Sequence, residues 1–119
     1  MSKPNPIVDL SFQFSLEIIE FVQLLKEQKN WELSSQLLRS GTSIGANIYE
    51  AQGAESRNDF IHKLKIAAKE CHETYYWLQL CKSSQHLPTP PEALLAKRTS
   101  IAKLLSSIIA STKRNSQTK

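Results

Sequence analysis

Apolar residues return along this chain at three- and four-residue intervals in four separate blocks, and each block reads as an amphipathic helix. The first helix is expected over about residues 9–29, with Asp9 or Ser11 as its cap and Phe14, Ile18, Phe21, Val22 and Leu25 as its core row. A second row, Phe12, Leu16 and Ile19, points more than a quarter-turn away, which is more apolar surface than a lone bundle buries. The second helix, about 32–52, carries Leu33, Leu37, Ile44, Ile48 and Ala51 on one face, bordered by Ser40, Gly41 and Asn47. The third, about 56–84, has the strictest pattern. Phe60, Leu64, Ala67, Cys71, Thr74, Leu78 and Cys81 follow at alternating four- and three-residue steps, widened by Ile61, Ala68 and Tyr75. The fourth, about 90–112, opens on Thr89-Pro90-Pro91-Glu92, a cap residue followed by proline and glutamate. It buries Leu94, Leu95, Ile101, Leu104, Leu105, Ile108 and Ile109, and residues 113–119 read as a flexible basic tail.

No block alternates as a strand, and the connections are short. The expected fold is therefore all-α, an antiparallel up-down four-helix bundle in one domain. Gly41, Gly45 and Ala46 interrupt the second helix with residues that cost about 1 kcal/mol per glycine, a cost offset where a neighbouring helix approaches closely. Gly53 is expected to cap that helix in the left-handed conformation, and Ser56 with Asp59 has capping-box spacing for the next.

Composition narrows the picture modestly. The 119 residues carry a net charge of +4, compatible with an anionic partner without requiring one. Cys71 and Cys81 lie on one helix about 15 Å apart, too far to bridge, and read as reduced core thiols. The chain opens on no secretory leader and contains no apolar run of membrane-spanning length, so a cytoplasmic location is expected, with no membrane partner.

Several motifs carry residue types suited to chemistry. Gly41-Thr42-Ser43-Ile44-Gly45 matches G-x-S-x-G, but a hydrolase elbow needs a strand before the serine, and Ser43 continues a helical row. His72-Glu73 begins an H-E-x-x-H pattern in which Tyr76 replaces the second histidine, so no zinc site is expected. His62, Lys65, Lys69, His72 and Tyr76 form an outward row on the third helix with no carboxylate inside it, a candidate surface for RNA or DNA phosphates and bases. Ile66, Glu73, Trp77 and Leu80 make a further row, and the exposed tryptophan with Leu80 and Ile66 joins Phe12, Leu16 and Ile19 as candidate contacts between copies. Arg39 falls level with Glu70 if the hairpin turns near Gly53, while Asn47, beside Glu50, is expected to bond between helices.

Gln36–Ser40, the run Ser43-Ile44-x-x-Asn47-Ile48-x-Glu50-x-x-Gly53, Asp59–Ala67, and Glu70-x-x-Glu73-Thr74-x-Tyr76-Trp77-Leu78 together resemble the small bacterial four-helix-bundle family that includes proteins encoded in large-subunit rRNA intervening sequences. Ala51 departs from the glycine that many relatives carry. The resemblance implies a ring-shaped homopentamer with no established catalytic activity. It also implies a distant similarity to the basic, pentameric accessory proteins of diversity-generating retroelements, which work with nucleic acid. The resulting expectation is a non-enzymatic homo-oligomeric scaffold needing no cofactor, metal or small-molecule substrate. The alternatives are a protein-only adaptor docking through Trp77 and a hydrolase using Ser43.

Overall fold

Four helices account for nearly all of residues 4–117, the part of the chain that the computed structural model describes. They are α1 (Pro6–Glu27), α2 (Trp31–Ala51), α3 (Arg57–Ser83) and α4 (Glu92–Gln117). Each packs on two others, in the cyclic order α1, α2, α3, α4 and back to α1. Across α2 and α3, Glu50 near the end of α2 meets Lys63 near the start of α3, while Arg39 and Ser40 in the first half of α2 meet Glu70 and Thr74 further along α3, the register of antiparallel neighbours. Asn5 meets Gln52, Cys71 meets Arg98, and Glu17 meets Lys97.

Phe14, Ile18, Leu25, Leu37, Ile44, Ile48, Leu64, Leu78, Leu94, Ile101 and Leu105 are fully buried, one stripe from each helix. Removing such a side chain from water contributes about 1.5–3 kcal/mol, which exceeds the propensity cost of either helical glycine. The glycines permit the closest contact. A Cβ built on Gly41 would lie 2.8 Å from Ile18 Cγ2, and one on Gly45 would lie 3.2 Å from the Ser11 carbonyl oxygen. α1 therefore rests directly on the α2 backbone, as the small-residue pattern predicted.

The helix ends differ from expectation in four places. α1 starts at Pro6 rather than near residue 9, because proline at the first position lacks only an N–H that would have no partner there. Asp9 and Ser11 consequently lie inside the helix, and Ser11 is buried. Gly53 does not take the left-handed conformation; Gln52 remains right-handed and the Gly53 N–H returns to the Glu50 carbonyl at 3.0 Å. The left-handed cap occurs instead at Lys29, φ 64, where the Lys29 and Asn30 N–H groups reach back to Lys26 and Leu25. At the other end of the chain, α4 begins at Glu92 rather than Pro90, since a residue preceding proline is driven out of the helical region. It then continues to Gln117, so residues 113–117 of the expected tail are helical, and 118–119 lie outside the described residues. The Ser56 cap holds as expected, accepting from Asp59 N at 3.0 Å, while the Asp59 carboxylate reaches past it to Glu55 N at 3.1 Å.

Candidate functional site

The α3 seam fixes what the rest of that helix displays. With Leu64, Ala67, Cys71, Thr74, Leu78 and Cys81 buried, the residues half a turn away must face outward. His62, Lys65, Lys69, His72 and Tyr76 are all exposed, and none of the five forms an ion pair among the described residues. Tyr76 stands edge-on to Trp77, ring centroids 5.2 Å apart. α4 extends the basic surface, because Lys113 lies beside Lys65, whose ammonium can donate only to a neutral amine at 113. That hydrogen bond, together with the repulsion between the two charges, pushes Lys113 below the usual lysine range.

Glu70 and Glu73 of α3 turn the other way, toward α2. Arg39 Nη1 donates to Glu70 at 3.0 Å and Nη2 donates to Glu73, so the expected Arg39–Glu70 pair is one half of a fork. Trp77 Nε1 also donates to Glu73, at 3.0 Å. The indole hydrogen bond first, and Arg39 after it, hold the Glu73 carboxyl below its usual range. Beneath this fork, Thr74 and Ser40 share a buried hydroxyl contact of 3.0 Å. Glu50 pairs with Lys63 at 3.6 Å. Asn47 does not bridge helices; its amide donates to the Ser43 carbonyl of its own helix at 2.8 Å. Ser43 likewise donates to the Arg39 carbonyl, in mid-helix, with no strand before it among the described residues. The strained strand-to-helix turn that would activate a hydroxyl is missing there.

Two apolar grooves flank α2. On its α1 side Val8, Phe12, Leu16, Ile19, Gly45 and Tyr49 line a space of about 570 Å³, with Phe12 61% and Tyr49 73% exposed. Small residues at 45 and 46 open this groove, and among the described residues nothing covers the large residues beside them. On the α3 side and toward the opposite end, Trp31, Leu33, Gln36, Trp77 and Leu80 surround about 640 Å³. Trp77 is half-buried and borders this groove with residues of α2, while Ile66 is half-buried and Leu80 exposed. Tyr49 and Trp31 escaped the sequence reading, since each falls just beyond an apolar row.

The model of one family, described as 23S rRNA-intervening sequence protein, matches residues 3–107. The chain belongs to that family. Its fold is similar to that of a solved protein of unknown function from the S23 ribosomal protein family of Bacteroides thetaiotaomicron. The two are 48% identical, with a TM-score of 0.81 over 87% of this chain and 97% of that one. Comparison with curated proteins finds no match. Among the described residues of this intervening-sequence family member, no group of three or more metal-ligating side chains converges, and no helix is long and apolar enough to cross a membrane.

One buried residue went unnoticed in the sequence. Arg98 occupies the α4 seam between Leu94 and Ile101, only 9% exposed, with its guanidinium 4.6 Å from the Tyr75 ring centroid. Nη1 donates to the Cys71 sulfur at 3.6 Å and Nη2 to Thr99 Oγ1 at 3.4 Å, and Nε has no partner. Its position, four residues after one buried leucine and three before a buried isoleucine, was the available signal.

Proposed function

We propose that this family member is a non-enzymatic scaffold that assembles from identical copies and carries RNA or DNA on its repeated basic row. The observation that carries the reading is the uncovered apolar face at Phe12, Leu16, Ile19 and Tyr49. Two unlike grooves on opposite sides of α2 favour a head-to-tail contact, the kind that closes into a ring, and a pentamer is the ring size that the family resemblance implies. Repetition around a ring multiplies the field of Lys65, Lys69, His62 and His72, and Tyr76 offers a face on which a base stacks.

Light scattering on the purified protein at micromolar concentration should give a multiple of the 13.5 kDa chain mass. A monomer across that range ends the scaffold reading. Binding to structured RNA or single-stranded DNA should weaken steeply with salt and disappear in the double variant Lys65→Glu, Lys69→Glu. Wild-type protein that binds neither at low salt removes the nucleic-acid part.

A further inference from the structure

Neither groove nor the exposed row uses Arg98. We infer that Arg98 is the fixed centre of a phosphate-binding site in the α3–α4 seam, beneath Tyr75. The proposed function supplies the source of that phosphate, a nucleic-acid backbone, but not the argument for the site.

A buried charge persists only where something compensates it, and a leucine at position 98 would complete the 94–98–101–105 stripe without any such need. All the present partners of the guanidinium are neutral: a sulfur, a hydroxyl and an aromatic ring. Among the described residues, no carboxylate pairs with it. Glu92, at the start of α4, is that helix's only acid, and Glu70 and Glu73 of α3 are taken by Arg39. Glu17 of α1 is taken by Lys97. Nε and Nη2 form one edge of the guanidinium, the fork that grips two oxygens of one oxyanion, and this edge holds only the long bond to Thr99. Tyr75, 45% exposed, holds its ring 4.6 Å from the guanidinium carbon, and movement of that surface ring is the way in for a phosphate on this proposal. His72 precedes Tyr75 by one turn on the same side of α3, which sets the seam beside the cationic row. A strand held on that row therefore brings its phosphates to the mouth of the seam.

The test titrates inorganic phosphate, followed by ³¹P NMR, and labelled single-stranded RNA, followed by anisotropy, against wild type, Arg98→Leu and Arg98→Met. Circular dichroism checks that each variant is folded. Loss of phosphate binding in both variants, with at least tenfold weaker RNA binding and a salt slope reduced by about 1, supports the site. RNA binding at wild-type affinity and slope in either folded variant overturns it and leaves the proposed function standing. Phosphate binding that requires Arg98, in a protein that binds no RNA, supports the site with free phosphate as ligand and defeats the nucleic-acid reading instead. A drop in native mass on Arg98→Leu with RNA affinity unchanged also overturns the proposal, since it gives Arg98 a carboxylate of a second copy.

Discussion

Glu73 accepts hydrogen bonds from the Trp77 indole and from Arg39, and both favour its ionised form. Because its folded pKa lies below the ordinary 4.5, the stability it contributes is present above pH 4.5 and is lost as pH falls through the depressed folded value. Denaturant unfolding of wild type and Glu73→Gln should therefore differ by a constant amount above about pH 5.5 and converge below the native pKa. A difference that persists unchanged at pH 3 would mean that the charge of Glu73 is irrelevant. At this scale the sequence was informative where a turn sets the register. Placing the hairpin turn near Gly53 brought Arg39 level with Glu70, and the fork is there. It was uninformative where a side chain chooses between its own helix and the next, as Asn47 does. Arg98 was overlooked because hydropathy treats an arginine as surface, although only a core-seam position fits its spacing.

Helices pack here because α2 exposes its backbone to α1, so the glycines of the two settings should respond oppositely to alanine. At Gly41 the new Cβ would collide with the branched carbons of a fully buried Ile18, which has no flexible end to give way. Overpacking costs roughly 1–3 kcal/mol and better helix propensity returns about 1, so Gly41→Ala should lower Tm by a few degrees. Gly53 has nothing closer than 3.8 Å and no left-handed backbone. Gly53→Ala should therefore raise stability by about 0.4–1 kcal/mol through the unfolded chain. Calorimetry of the two variants checks both signs. The strict four-three rhythm of α3 was fully legible, as were all four helices. Their ends were less so. Nothing after Pro91 breaks α4, and adding residues to a formed helix costs little, so its polar end stays helical where composition alone suggested a tail.

The molecule measures 54 × 29 × 22 Å, with a radius of gyration of 15.4 Å. A compact domain of this length would have about 13.5 Å. So long a bundle has much side wall for its core, and the apolar wall at Phe12, Leu16 and Ile19 is what a monomer of this shape leaves wet. Leu16, 44% exposed, tests this without disturbing the core. Leu16→Glu should keep the helical signal and the melting cooperativity of the monomer unit while shifting native mass toward a single chain. An interface anchor of about 2 kcal/mol corresponds to roughly thirtyfold weaker association. An unchanged assembly would place the contact elsewhere. The antiparallel course has one further practical result. α1 begins and α4 ends at the same pole, and the turns through residues 28–30 and 84–91 close the other. A fluorophore or affinity handle attached beyond the start of α1 or the end of α4 therefore reports on a single pole and leaves the Trp31–Trp77 corner unobstructed.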